Sequence, residues 1–535
     1  MKLGGLPNRA YNIVFHTHTV SGIVISFALY VIFFAGAYTL FRDEFYQWED
    51  PKARQTIGKQ VDYDALLADI KAKHPAFDQS DDIYLYPATE HKPVLSFFGH
   101  QKPKDKTEED HFHAQYYPHH KELKFEEESS TVGLTLYRLH YFDQVPFYIG
   151  RYVSGFVALF FLFAVLTGVL IHWRNIVTKF YGFSLRGSLK QIWTSSHTVL
   201  GLLGLPFQLM YAITGAYYML SILILLPVVM VFFDGDQKKV LALLRPNEGI
   251  VLNEKSPKTS NNIRISKSLD EIRAQYPDFK MKTINLKHYD REDALMTVYG
   301  KDPNFFSGDG MISIQLKDGN KVVDMMPGNK TYVQSVLFGI AGVHFATFGG
   351  VLLKFVYFFL AIVTCFVIIS GVLLWKEARN KKSYTDKQKR FHHRVTMSYL
   401  AICFGLFPAV AILFMAELVI PAGPKHIDIV NNTFFLSWLA LTIIGLFWKT
   451  EARLTRNYLY VGGVLSIAVP IVNGLVTNDW LWKTLGNKQY YIAGTDLFWL
   501  GSGIICLVSA IRFWKKPSGA PESAIARNKE AVLKT

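Results

Sequence analysis

Cysteine is nearly absent. The 535 residues include three, Cys365, Cys403 and Cys506, and all three fall inside long hydrophobic runs. This excludes a disulfide framework and a metal–thiolate centre, and leaves them as small apolar filler. The Lys/Arg-rich loops lack a glycine-rich turn between a strand and a helix, which excludes a dinucleotide cradle of the usual kind. Charge is thin: 19% of residues are charged against 50% hydrophobic.

What the chain does have is apolar length. Eight runs of roughly 20 residues lie near 13–40, 150–173, 194–230, 346–375, 395–420, 433–449, 458–475 and 494–513. Helices of that length cross about 30 Å of hydrocarbon. A net charge of +14 would suit nucleic acid if it were spread over one face, but it is not. Arg174, Lys179, Arg186 and Lys190 follow the second run, and Lys376, Arg379, Lys381, Lys382, Lys387, Lys389, Arg390 and Arg394 follow the fourth. Lys449, Arg453 and Arg456 follow the sixth, and Lys515 and Lys516 the eighth. The bias predicts a multi-pass protein with both termini in the cytoplasm, with the long loops 41–149 and 231–343 outside and no nucleic-acid partner. Ala35-Gly-Ala37 looks like a signal-cleavage site. The apolar stretch is too long for a signal peptide, and Thr214-Gly-Ala-Tyr217 repeats the pattern deep in the chain.

The chain carries an internal duplication. Asp69-Ile-Lys-Ala-Lys-His-Pro75 matches Glu271-Ile-Arg-Ala-Gln-Tyr-Pro277, and Leu166-Thr-Gly-Val-Leu170 matches Ile369-Ser-Gly-Val-Leu373. Each external loop reads as a small α+β domain. The first has a helix over 61–74 and strands at 83–86 and 94–98. The second has a helix near 268–275 and strands at 281–289, 294–299, 311–316 and 321–325. Lys317-Asp-Gly-Asn320 serves as a hairpin turn between the last two. Repeats in the same orientation imply a pseudo-twofold axis along the membrane normal. The last four runs lack the pattern and read as an appended bundle.

Histidines mark the repeat. His18-Thr-Val-Ser-Gly22 opens the first run and His197-Thr-Val-Leu-Gly201 the third, while His140 and His344 precede the second and fourth. A single histidine at a membrane boundary is unremarkable. Equivalent residues, however, face each other across a pseudo-axis, and imidazole is a common axial ligand of haem iron. Orientation pairs His18 with His197 on the cytoplasmic side and His140 with His344 outside, roughly 20–25 Å apart. Two imidazoles fill both axial positions, so electron transfer is the natural task. Gly22 and Gly201, one turn along the same face, would make room for a flat macrocycle; helix packing through small residues is the competing account. Without a Cys-x-x-Cys-His string the haem would be of b type, about two per chain.

Weaker candidates are His16, His172 and His393. The loop histidines His111, His113, His119 and His120 could bind metal but lack partner carboxylates, and read as a solvated loop. Arg9, Arg151 and Lys354 could meet propionates or merely snorkel. Trp48, Trp173 and Trp375 suit an interfacial belt.

With the helix starts at His18 and His197, Leu139-His140 with Gly150-Arg151, His344 with Phe348-Gly-Gly350, and Thr167-Gly168 and Ser370-Gly371 before Trp375, the chain resembles the PepSY-associated transmembrane family of bacterial iron-regulated membrane proteins. The likeness covers about residues 10–380. It implies an α-helical integral membrane protein of about eight transmembrane helices, with two small PepSY-like α+β extracytoplasmic domains and a tandem parallel repeat in the first four helices. The expected order is helix 10–41, domain 42–149, helix 150–174, helix 194–230, domain 231–343, helix 344–376, a four-helix bundle at 392–515 and a cytoplasmic tail at 516–535. The resemblance further implies a bacterial inner-membrane ferric-siderophore reductase with His18, His197, His140 and His344 as haem ligands. Its partners would be a ferric siderophore or other ferric chelate outside and a cytoplasmic or quinol electron donor. Two other classes remain open: a non-enzymatic protein whose external domains bind peptides or restrain a protease, and a transporter using Glu417 near Pro421.

Overall fold

A computed structural model describes residues 7–515, apart from 55–60, 102–110, 119, 126–131, 147–148, 185, 238, 241–245 and 424. The chain divides into two compact units, residues 1–393 with 420–429, and 394–419 with 430–535.

The membrane part of the first unit is built from α1 (Asn8–Thr39), α5 (Ile149–His172), α7 (Leu189–Leu203) with α8 (Leu205–Phe232), and α11 (Gly350–Ala378). Helix α1 packs on α5 and α11, α5 on α8, and α7 on α11. Among the described residues, seven helices are long and apolar enough to span a membrane, or eight if one bent pair counts as a single span. That pair is α7 and α8, which the sequence suggested as one span over 194–230. The helix bends by 69° at Gly204, where Pro206 in the first turn of α8 has no N–H to continue the ladder.

The two long loops, 41–149 and 231–343, share one nine-stranded antiparallel sheet. The first loop supplies α2 (Arg42–Glu49), α3 (Tyr63–Lys73), β1 (Phe77–Asp78), β2 (Ile83–Tyr86), β3 (Leu95–Gln101), β4 (His111–Tyr117), β5 (Glu122–Phe125) and α4 (Val132–His140). The second supplies α9 (Ile265–Gln275), β6 (Lys280–Lys287), β7 (Leu295–Lys301), β8 (Asp309–Gln315), β9 (Lys321–Met325) and α10 (Tyr332–His344). Strand order is β5-β4-β3-β2-β6-β7-β8-β9, with β1 beside β3. The lobes join at β2–β6, where Ile83 pairs with Leu286, Tyr84 with Asn285 and Leu85 with Ile284.

This junction lies on the pseudo-twofold. Helix α9 is α3 displaced by 202 positions, 63 to 265 and 73 to 275. The same displacement turns the pair Ile83–Leu286 into the pair Asn285–Tyr84, so the axis passes between them. Other repeat-related residues also meet across it. Arg264 pairs with Asp62 at 2.7 Å, and the Ser266 hydroxyl donates to Asp64 at 3.1 Å. Helix α3 is capped by its own Asp62. Helix α9 has Arg264 at the equivalent place, and Asp64 of the other lobe accepts from the N–H groups of Ile265 and Ser266. One apolar core, including Leu67, Ile70, Leu85, Phe97, Leu269, Ile284, Leu286 and Val298, runs through both lobes.

The second unit contains the bulk of α12 (Asp386–Val419) and α13 (His426–Leu446), with α14 (Glu451–Thr477), α15 (Leu481–Gly486) and α16 (Tyr490–Lys515). The proposed tail 516–535 lies outside the described residues. Inside this unit Asn473 donates to the fully buried Asp496 at 3.0 Å. Glu417, the residue on which a transporter reading would rest, is buried.

Candidate functional site

The four repeat-related histidines meet in two pairs. His18 of α1 and His197 of α7 have ring centres 6.1 Å apart, their planes at 68°. His140, the last residue of α4, and His344, the last of α10, have ring centres 6.4 Å apart at 52°. Both helices had been missed in the sequence. Both are short; α4 is amphipathic, while α10 is apolar and opens on a Thr331–Gln334 capping box. Such a helix end presents the ring to the bundle instead of to solvent.

Every ring is gripped through Nδ1. His18 Nδ1 lies 2.9 Å from the Ala164 carbonyl and 3.3 Å from Thr167 Oγ1. His197 repeats this on α11, 2.9 Å from the Val367 carbonyl and 3.4 Å from Ser370 Oγ. His140 Nδ1 reaches the Ile32 carbonyl at 2.8 Å. His344 Nδ1 reaches Thr214 Oγ1 at 2.8 Å, and Tyr211 donates to the His344 carbonyl at 2.9 Å. A carbonyl can only accept, so three of these rings carry their proton on Nδ1 and leave Nε2 as a lone-pair donor. That is the tautomer an Nε2-bound metal needs, with the outer nitrogen oriented by a hydrogen bond.

Glycines make the space. A Cβ on Gly36 would stand 2.7 Å from His140 Nδ1, one on Gly371 3.0 Å from His197 Cε1, and one on Gly168 3.2 Å from His18 Cε1. Gly22 is different: a Cβ there meets nothing within 4 Å, and one on Gly201 meets only Val367 Cγ1 at 3.9 Å. Neither glycine is needed for close helix packing, and each borders open space one turn beyond its histidine. The axial spacing follows from α1. Ile32, which holds His140, is fourteen residues beyond His18, or about 21 Å along the helix.

These observations test whether the residues fit haem. Iron with an imidazole nitrogen about 2 Å away on each side sets the ring centres roughly 6 Å apart. Both pairs have that spacing and two nitrogen donors, and three of the four rings have their tautomer set by a carbonyl. They can hold a flat macrocycle at each end of the bundle, but no larger donor set: among the described residues, no group of three or more His, Cys, Asp or Glu could hold a metal ion.

The remaining sequence candidates fall elsewhere. His16 is exposed beside Phe15. His172 lies near the first pair, its Nε2 3.4 Å from Thr198 Oγ1, and does not join it. His393 belongs to neither pair; its neighbour His392 packs on Trp375 and Tyr384. His111 and His113 are not in a loop but on β4, where His111 stands across from His100; His119 lies outside the described residues. Arg151 and Lys354 are already engaged by carboxylates, Asp143 at 2.7 Å and Glu44 at 2.6 Å, which argues against a propionate role. Trp48 is fully buried and no part of an interfacial belt.

Comparison with known proteins agrees with the architecture. The PepSY-associated TM region family matches residues 15–378, and the chain belongs to that family. It is also similar to a Pseudomonas aeruginosa protein described as uncharacterized protein PA4219. They share 23% identity over 342 residues, covering 61% of this chain and 82% of that one.

Proposed function

We propose that this protein is a haem-bearing oxidoreductase of the bacterial inner membrane that carries electrons outward to a ferric siderophore or another ferric chelate. The observation that carries the proposal is the meeting of His18 with His197 and of His140 with His344 at 6.1 and 6.4 Å, with Nδ1 already engaged in every ring. The positive-inside rule puts both termini in the cytoplasm, the first pair inside and the second outside.

Two b-type haems, one held by His18 with His197 and one by His140 with His344, would supply one-electron relay chemistry. The protein's own residues do the rest. Carbonyls of Ile32, Ala164 and Val367 and the Thr214 hydroxyl hold the imidazoles in place. Apolar walls such as Phe33, Phe207 and Tyr211, with ring centres 4.7–6.3 Å apart, keep water from the bundle between the pairs. A ferric chelate would rest on the domain of the shared sheet, whose helices α4 and α10 end on His140 and His344. Reduction loosens the chelate, because Fe(II) is softer and less charged than Fe(III) and is held less tightly by hard oxygen ligands. The donor is a cytoplasmic protein, a quinol or a diffusible reductant.

The test is vectorial. The protein is reconstituted in liposomes loaded with reductant, with a ferric hydroxamate chelate and a ferrous-specific chromophore outside. Chromophore should form with the wild-type chain and fall to the empty-liposome rate with His140→Ala. Equal rates with and without the protein would refute the proposal.

A further inference from the structure

A cavity beside the first histidine pair is not used by any role assigned above. It measures 450 Å³, within the range of about 300–1,000 Å³ typical of small-molecule sites. It lies between α6 (Ile176–Phe180) and the first three turns of α7, and Thr198, the residue after His197, forms part of its wall. The same Thr198 hydroxyl is 3.4 Å from His172 Nε2. A ligand here would sit one residue from the imidazole pair, on the side that the charge bias turns to the cytoplasm.

The lining is polar. Lys179, Lys190, Gln191, Ser195 and Thr198 contribute to it, and Val199 is its one apolar side chain. A quinol, which arrives on an isoprenoid tail through an apolar groove, suits this poorly. Both lysines are exposed, and neither ammonium is within ion-pairing distance of a carboxylate among the described residues. The sequence has no Asp or Glu at all between Asp143 and Asp234. Gln191 commits its carbonyl oxygen to Ser188, which leaves its amide protons for a ligand. Two unpaired ammonium groups and an amide donor match a phosphate dianion.

We propose that this cavity binds a phosphate-bearing small molecule of flavin mononucleotide size, held by Lys179 and Lys190. The phosphate claim stands on the cavity alone. Identifying the ligand as redox-active, and so as the electron source, rests on the function proposed above.

The test uses the full chain in phosphatidylcholine nanodiscs and flavin mononucleotide as probe, followed by fluorescence polarisation. Saturable binding is expected. Lys179→Ala and Lys190→Ala should each weaken it about tenfold, as loss of a charge-assisted hydrogen bond does, and Lys190→Arg should restore most of it. Riboflavin, which lacks the phosphate, should bind about as weakly as the double alanine variant. Both lysines are exposed, and an unchanged melting temperature would show that the variants fold. Equal binding of riboflavin and flavin mononucleotide, or no effect of either lysine, overturns the proposal. Nanodiscs containing phosphatidylglycerol separate the two sources of phosphate: if this lipid displaces the probe, the natural occupant is a lipid headgroup and the flavin assignment fails. None of these readings depends on haem, so a chain without haem that still binds the probe would refute only the function proposed above.

Discussion

The two halves of the repeat hold equivalent rings by different means. In the first half, His140 donates to a backbone carbonyl, that of Ile32 on the uninterrupted helix α1. In the second, the corresponding helix is broken at Gly204, and His344 is held by the Thr214 hydroxyl and through its own carbonyl by Tyr211. The His18 and His197 clamps, by contrast, are near copies, each a carbonyl plus a hydroxyl one turn along. A duplicated fold thus keeps the position of the ring, while the anchor can drift between main chain and side chain. Only side-chain anchors are open to mutation, so the comparison can be broken experimentally at His344 more readily than at His140.

The largest effect is expected from the ligands. His140→Ala and His344→Ala should each lower a haem count of about two per chain to about one and leave the centre at His18 and His197 in place. Next comes the glycine beside the ring. Gly36→Ala puts a methyl group 2.7 Å from His140 Nδ1 and should displace the imidazole. Gly371→Ala and then Gly168→Ala should do less, following their longer distances, as read from haem retained after purification. Gly22→Leu sharpens the test of what the open space is for: thermal stability of the haem-free chain should be unchanged while haem uptake falls.

Thr214→Val removes the one side-chain anchor of His344 Nδ1. Loss of such an outer hydrogen bond costs about 10- to 100-fold in metal affinity. Thr167→Val should cost little by the same titration, because His18 keeps the Ala164 carbonyl.

Smaller still are the effects at the lobe junction. Asp64→Ala strips a cap from α9 and a partner from the Tyr289 hydroxyl, and should cost about 1–2 kcal/mol in the unfolding of the shared sheet. Asp290 also bridges the lobes, accepting from Ser80 at 2.7 Å and pairing with Lys258 at 2.7 Å. Burial alone would raise its pKa, but the hydrogen bonds from Lys258 and Ser80 outweigh it, and the carboxyl is held below its ordinary value. Its stabilising contribution is therefore complete above the unfolded-state value of about 3.9 and is lost as pH falls through the lower folded value. Acid titration of the melting temperature should show a step below about pH 4 that is absent in Asp290→Asn.

Much of this architecture is legible in the sequence, because it repeats. The spans stand out by length, the equivalent helices α3 and α9 and the pair His140 and His344 by an offset near 200, and His18 and His197 by their shared His-Thr-Val string. The shared sheet does not. Its decisive pairing, β2 with β6, joins residues about 200 positions apart and leaves no local pattern. Strand β4 was hidden because His111 and His113 occupy its outer face, which made an alternating segment look like a polar loop. The bend at Gly204 was hidden inside an unbroken apolar run, and hydropathy does not register a missing N–H at Pro206. The clamps at Thr214, Thr167 and Ser370 had a signal in the matched Thr-Gly and Ser-Gly pairs, although nothing in the sequence tied these hydroxyls to a particular histidine.

The central claim is that imidazoles from the two halves share an iron. Electron paramagnetic resonance of the purified ferric protein, recorded for the wild type and the four single histidine-to-alanine variants, tests it most directly. Two low-spin signals are expected in the wild type, one abolished equally by His18→Ala and His197→Ala, the other equally by His140→Ala and His344→Ala. A colourless protein after haem is supplied, or four variants with the wild-type spectrum, would contradict the account.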